Sequence, residues 1–492
     1  MSEAARIELD SQTEFQRRLN SVTDKNTPIY SSFDGEFTKG MWHSSLIEEL
    51  KRRDDNDNEC TYAINDERDI LIYSYATWKS PAVRVKELHR DDTLICWTKN
   101  LATNRFVKSK FFSADTQIQE FDNVWMDIYY QAFMENKEGA REAHNLSTGN
   151  TPELTSFCLE LAETPLEFDL PWYYSEHPAL AYPLYHLHRN KARSYHTFKL
   201  KNKIWDLLRM CIKDKETGEW HTVPAGDYRD RLDYTMESIP HPKIWGRYGT
   251  LTQGEKECHA AASKSYVIRN VMSVDTDNRF TLGTTQTLNL ASIAAPCLAI
   301  FWVVENKEAT QNNCHSNYTT HDSVPERRYA RNPVETSSLR YTKDPKGSSG
   351  VGAACFEDFS SEHFTSASFR RHLRSRPTEI GYHCYSFAQD LGGYLHGERG
   401  ISLSAVGAEL SCKFWKPRSR TGQRRPVVDS QRDLEASISD SVSATGSSSS
   451  EPIDQQSIDQ LMKTEFILHT RVLILRELTF EHLSDKTVLK LV

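Results

Sequence analysis

The chain has 492 residues, and its 60 Lys and Arg against 68 Asp and Glu leave a net charge of −8. With only 21 Gly and 18 Pro and an aromatic share of 11%, it is not collagen-like, low-complexity or wholly disordered. A chain of this length can bury roughly three quarters of its unfolded surface, enough for two cores. Mild acidity argues against binding nucleic acid by bulk charge, because neutralising phosphates takes a clustered basic surface. Met1–Asp10 lacks a basic segment followed by an apolar stretch, so no export signal is expected. The longest apolar run, Ala291–Val304, is too short to span a bilayer and is interrupted by Pro296. The ten cysteines are scattered without a CxxC pair, which points to reduced thiols in a cytoplasmic setting rather than a stapled secreted framework. Asn145-Leu146-Ser147 and Asn317-Tyr318-Thr319 match the glycan acceptor pattern, but without an export signal they are expected to stay unmodified.

Residues 1–40 are polar and without a clear period, and read as an arm or irregular lead-in. Strand-like runs begin near Leu46, with Asp54–Asn58 as a hairpin tip, since Asp and Asn bond their own backbone in turns. The acidic spacing there lacks the glycine and terminal glutamate of a calcium loop. Ile70–Thr77, Thr93–Trp97 and Phe106–Phe112 are β-branched and aromatic, as strands require. Val124, Ile128 and Phe133 then fall at helical spacing, which predicts a short helix between strands. Leu166–Leu170 and Tyr195–Leu200 return to strand character.

A second series opens near Val223. Tyr266–Val274 is strand-like, and the alternation from Phe280 to Leu290 has the period of a half-buried strand. Cys297–Val304 is apolar throughout and predicts a strand covered on both faces. Further strands are expected at Thr336–Thr342, Tyr382–Gln389, Ile401–Phe414 and Phe466–Leu475. Between the last two, basic Lys416–Pro426 and serine-rich Asp440–Pro452 cannot bury enough surface to offset their ordering entropy, so 417–460 reads as a mobile loop. The acidic residues that follow cancel its charge, which favours a solvated insertion over a tether. Many short strands, few helices and two successive series predict an all-β chain of two tandem sandwiches, with an arm at 1–40 and domains at 41–222 and 223–492.

No catalytic, cofactor or metal site is expected. His186 and His188 could share one side of a strand, but no acidic or cysteine partner stands at metal-ligand spacing. Cys258-His259, Cys314-His315 and His383-Cys384 place thiol and imidazole on opposite faces of any strand, which does not make a nucleophile. Gly350-Val351-Gly352 lacks the Lys or third Gly of a phosphate loop. Tyr173, Tyr174, Tyr182 and Tyr185 could stack bases or sugars, although packing is the expected duty.

Several segments, in order, resemble the double jelly-roll major capsid proteins of nucleocytoplasmic large DNA viruses. Trp97-Thr98-Lys99-Asn100-Leu101, Val107–Phe112, Phe121-Asp122 and Trp125-Met126-Asp127-Ile128 match a tryptophan-bearing stretch, a strand and a W-x-D-I/F helix. Pro171-Trp172-Tyr173-Tyr174, Ala181-Tyr182-Pro183-Leu184, Arg193–Leu200 and Trp205 are similar to the block that closes the family's first roll. Asp233-Tyr234, Ser265–Asn270 and Ile300–Val304 resemble the opening of the second roll. His315–Thr319 and Ser338–Tyr341 look like a loop and strand of the iridovirus-like members. Gly381–Ala388 and Arg471–Leu478 are similar to its YSFAL and final strands. Departures occur at Leu391-Gly392-Gly393-Tyr394, at Arg471–Arg476, which lacks the glycine-rich tail, and in the 417–460 insertion.

The resemblance implies two tandem eight-stranded antiparallel jelly rolls with short helices in the loops. It further implies a homotrimer whose six barrels give a pseudo-hexagonal capsomer able to tile an icosahedral shell. Partners would be the chain itself, neighbouring capsomers, minor or cement proteins, and an inner membrane or core, with no specific nucleic acid. The place implied is the virion capsid, assembled in the host cytoplasm. A minor capsomer or assembly scaffold of the same fold, or a glycan-binding attachment sandwich, are the alternative readings.

Overall fold

The computed structural model describes residues 46–53, 59–133, 140–176, 180–190, 193–251, 264–274, 279–320, 331–342, 400–416, 462–482 and 487–491, and scattered residues from 354 to 391. The arm at 1–40, the Asp54–Asn58 tip, Cys258-His259, Gly350–Gly352 and the 417–460 insertion lie outside the described residues.

Eight principal strands build the first roll: β1 (Leu46–Glu49), β2 (Glu59–Ala63), β3 (Ile70–Ser80), β4 (Phe106–Ser113), β5 (Thr116–Asp122), β6 (Thr164–Asp169), β7 (Ser194–Leu200) and β8 (Lys243–Gly249). They pair antiparallel in the orders β1-β8-β3-β6 and β2-β7-β4-β5. The second roll repeats this with β9 (Lys264–Ser273), β10 (Thr285–Asn289), β11 (Pro296–Asn306), β12 (Val334–Tyr341), β13 (Ala354–Cys355), β14 (His383–Ser386), β15 (Ala408–Phe414) and β16 (Phe466–His482). Its sheets run β9-β16-β11-β14 and β10-β15-β12-β13. In each roll, counting strands along the chain, the sheets read first-eighth-third-sixth and second-seventh-fourth-fifth. That order is the antiparallel double-sheet jelly roll, and it occurs twice.

The sequence placed the division between the rolls at 222/223. Strand pairing moves it: Leu232–Tyr234 pairs with Val83–Val85, and β8 lies between β1 and β3. We therefore propose a division after Gly249. Periodicity could not find it, because the eighth strand of a jelly roll closes on the first and third rather than on its chain neighbours.

Most expected strands form close to their expected bounds, and α1 (Asn123–Phe133) is the expected helix. Two runs break where glycine takes a left-handed backbone. The Phe280–Leu290 alternation keeps its buried parity at Phe280, Leu282, Leu288 and Leu290, but a turn at Gly283 (φ 83°) confines the strand to β10. Ile401–Phe414 is interrupted by a one-turn helix, Leu403–Val406, which Ser402 caps by accepting from Ala405 N and Gly407 (φ 60°) ends. A helix at Ala140–Thr148, unread in the sequence, has only Thr148 buried, so its face carries little apolar signal.

β11 explains its unbroken apolar run. Cys297, Ile300, Trp302 and Val304 point into the interior of the second roll, whereas Ala299, Phe301 and Val303 join the core of the first. A bulge between Cys297 and Ala299 sets this parity, and Leu298 joins the first-roll side with Ala299. β16 divides the same way, with Val472 and Ile474 inward and Leu473 and Leu475 toward the first roll. One sheet thus serves two cores.

Candidate functional site: the seam between the two rolls

The candidate site is the seam that sets the angle and spacing at which the two rolls are held. Three sets of contacts set it. The first is apolar: on α1, Trp125 meets Phe301 edge-on at 5.7 Å and Phe133 lies 6.2 Å from the same ring. Phe480 on β16 stacks on His186 at 4.9 Å and lies 6.2 Å from Tyr182, both from the first roll. The second is an ion pair. Arg471, 1% exposed on β16, binds Asp122 at the end of β5, with Nε donating to Oδ1 at 3.1 Å. Asn270 on β9 adds a side-chain bond to the Ile118 carbonyl at 2.8 Å.

The third set is a loop, 312–320, that the second roll inserts into the first. β11 ends at Asn306, whose side chain caps the helix Lys307–Gln311, and the chain then turns back through Asn313 (φ 59°) and Ser316 (φ 56°). Left-handed backbone at two non-glycine residues costs roughly 1–2 kcal/mol each and persists only where contacts fix it. Those contacts are present. Asn313 Nδ2 donates to the Leu208 carbonyl at 2.8 Å, and His315 N to Thr98 Oγ1 at 3.1 Å. Lys201 Nζ lies 2.7 Å from His315 Nε2, with the amine donating. Asp127 on α1 is the centre. Ser316 Oγ donates to its Oδ2 at 2.5 Å, Tyr318 OH to the same oxygen at 2.9 Å, and Asn100 Nδ2 to Oδ1 at 3.0 Å. Asn104 Nδ2 donates to Ser316 Oγ at 2.6 Å. Asp127 therefore joins the second roll's loop to the first roll's Asn100 turn, itself left-handed at φ 46°.

Burial pushes the Asp127 carboxyl up to about 7, against the pull of its three donors. Burial likewise lifts Glu176 to about 7, although Arg269 on β9 stands 3.7 Å away and pulls it down. Desolvation, helped by the Lys201 charge, drops His315 to about 3, and desolvation drops Lys201 to about 8. Burial depresses His196 to about 3, and His383 and His144 to about 4.

These shifts fix a pH profile. Carboxyls whose folded pKa exceeds the unfolded value contribute fully below about pH 4, and that contribution is lost as pH rises through the folded value. The depressed histidines contribute fully above about pH 6.5 and lose it as pH falls. Four depressed histidines outweigh two raised carboxyls, so the thermal midpoint is expected to rise between about pH 4 and 7. Asp127→Asn is expected to steepen that rise, because it removes a contribution lost over the same range. A midpoint that falls from about pH 4 to 7, in scanning calorimetry at fixed ionic strength, would contradict this.

The residues weighed for chemistry take structural places. His186 is buried against Phe480, and the side chain of His188 lies outside the described residues. Among the described residues no group of three His, Cys, Asp or Glu side chains is arranged to hold a metal. Cys314 and Cys384 are buried thiols, and His383 lies flat on Trp302 at 5.5 Å and bonds the Trp302 carbonyl and Asn332. Tyr173, Tyr174, Tyr182 and Tyr185 are all buried; the first three ring Phe111. They are core, not a stacking platform. Asn317 lies in the inserted loop, where its Oδ1 accepts from Thr319, and Asn145 is part-buried on the Ala140–Thr148 helix. The seam was missed in the sequence because its polar members come from stretches far apart in the chain; the Trp125–Ile128 and His315–Thr319 motifs were its visible signal.

No protein-family model matches the chain. Among solved structures, the PBCV-1 virus capsid subunit aligns with a TM-score of 0.59 at 15% identity, covering 91% of this chain and 96% of that one. The Faustovirus major capsid protein aligns with a TM-score of 0.58 at 8% identity, covering 88% and 90%. The fold is the capsid double jelly roll. In sequence, the double jelly-roll chain is 21% identical over 376 residues to the major capsid protein of Simulium iridescent virus, covering 72% of this chain and 75% of that protein. The major capsid protein of Tipula iridescent virus matches over the same length at 21% identity, with 76% of it covered. The resemblance to iridovirus-like major capsid proteins thus reappears in the sequence comparison, and the double jelly roll in the structural one.

Proposed function

We propose that this chain is a major capsid protein: a structural subunit that assembles as a trimer, and whose pseudo-hexagonal trimers tile the shell of a large icosahedral DNA virus. The observation that carries the reading is the repeated strand order locked by a buried seam. Two similar rolls at a fixed angle make half of a repeating contact, and three such chains bring six rolls around an axis. Such a subunit works by shape, so its function calls for rigidity rather than reactive groups, and the seam supplies rigidity. Its partners are then copies of itself, neighbouring trimers and shell-associated minor proteins, and its place is the virion, assembled in the host cytoplasm. Size-exclusion chromatography with light scattering on the full chain tests the first step. A mass of three chains that persists on dilution is expected; a monomer at every concentration would overturn the reading. Electron microscopy of particles containing the chain should show hexagonal units on the facets.

A further inference from the structure

The two rolls correspond strand for strand, so β3 is the counterpart of β11 and β8 of β16. In the second roll, the outer face of β9-β16-β11-β14 is covered by the first roll through Ala299, Phe301, Val303, Leu473 and Leu475. The counterpart face in the first roll, on β1-β8-β3-β6, is built from rings. Along β3, Tyr73 and Tyr75 alternate with buried Ile72, Ser74 and Ala76, and along β8, Trp245 and Arg247 alternate with buried Ile244, Gly246 and Tyr248. The register sets Trp245 beside Tyr75 and Arg247 beside Tyr73. Trp245 and Tyr75 stack at 6.2 Å with 12° between planes, Lys243 lies 5.9 Å from the Trp245 ring, and Arg247 lies 5.6 Å from the Tyr73 ring. Ile47, 48% exposed on β1, extends the patch opposite Arg247, and Glu49, Glu167 and Asp169 border it.

We infer that this aromatic face is covered by the second roll of another copy of the chain, in the same way that the chain's own first roll covers the counterpart face of the second. The inference rests on the trimeric reading and adds the surface that makes it. Within a chain, one roll's α1 and β5 side meets the next roll's eighth-third strand face. Repeating that head-to-tail contact between chains exposes one such face per subunit and closes a ring, as heterologous contacts do when the rotation closes. Composition fits the two histories. Apart from the buried, ion-paired Arg269 and Arg471, the intrachain face is Ala, Val, Leu and Phe, which the folded chain never exposes to water. The first-roll face combines Tyr and Trp with charged neighbours, as a surface solvated before assembly requires, and Trp, Tyr and Arg are the residues in which interface energy concentrates.

The test uses full-length Trp245→Asp and Tyr75→Asp chains in light scattering, alongside hydroxyl-radical footprinting of the wild type. The variants are expected to fall from three chains to one with circular dichroism unchanged. In the wild type, Tyr73, Tyr75 and Trp245 should be protected in the trimer and reactive in monomer obtained by dilution or mild denaturant. Trimeric variants, or rings that react equally in both states of a trimeric wild type, would overturn the inference and leave the trimer reading standing. Rings already protected in the monomer would assign the cover to the chain's own segments and overturn it too. A wild type that is never trimeric would instead overturn the underlying reading. If the variants do not fold, footprinting of the wild type decides alone.

Discussion

Truncating Trp302 to alanine is expected to unfold the second roll, whereas Phe301→Ala, one residue away, should leave both rolls folded and let them part. Both side chains are wholly buried on β11, so exposure does not distinguish them. Direction does. Trp302 lies in the interior of the second roll against Phe364 at 5.1 Å and beneath His383, and its neighbours there are Ile300 and Val304. Phe301 faces the other way, against Trp125 and Phe133 of α1. Deleting a buried aromatic side chain costs about 3–5 kcal/mol, much of it from the cavity left behind. For Trp302 that loss falls within one cooperative core; for Phe301 it falls on the contact between two. Hydrogen exchange should therefore show protection lost across β9–β16 in Trp302→Ala. In Phe301→Ala it should be lost first in α1 and at the 312–320 loop, with the interior of the second roll retained. Identical exchange patterns in the two variants would show that the rolls unfold as one unit.

Gly381→Ala should detach the inserted loop. Gly381 adopts φ 101°, a region that disfavours a side chain, and an added Cβ would lie 2.2 Å from the Tyr318 carbonyl oxygen. Neither obstacle yields to a rotamer change, since the obstruction is backbone. The strain alone is about 1–3 kcal/mol, and displacing Tyr318 also removes one of three donors to Asp127. With Ser316 on the same loop, the buried carboxyl then keeps Asn100 alone, and its ionised form becomes costlier. The expected outcome is a drop of several degrees in thermal midpoint and a pH-dependent loss from Asp127 that extends past about pH 7. A variant with an unchanged midpoint and pH profile would show that this loop does not hold the rolls together. The glycine opens the Gly381–Ala388 segment, and its close approach to Tyr318 gives that position a physical reason to lack a side chain.

Chain order and alternation by themselves determined the class. Strands such as Thr93–Trp97 and Phe106–Ser113 were legible because β-branched and aromatic residues in short runs bounded by turn residues have few other stable arrangements. The doubly covered strand at 297–304 was legible too, because a run with no polar face cannot border water. What covers each face was not: that Trp302 serves one core and Phe301 the other depends on a bulge at Cys297–Ala299, and periodicity does not say where the count resets. The roll boundary we propose departs from the sequence reading for a related reason, since β8 joins β1 and β3 across almost the whole length of the first roll.

The buried polar centre was legible least. Asp127 on its own reads as a helical acid that should face water, and Asn100, Ser316 and Tyr318 read as loop residues. Only the tertiary structure brings the four together, because a hydrogen bond between residues 189 positions apart, such as Ser316 to Asp127, leaves no trace in local periodicity. Local preference fixes which residues form strands and which face is apolar; the relative placement of two similar rolls depends on contacts between distant stretches, whose energies no sequence window contains.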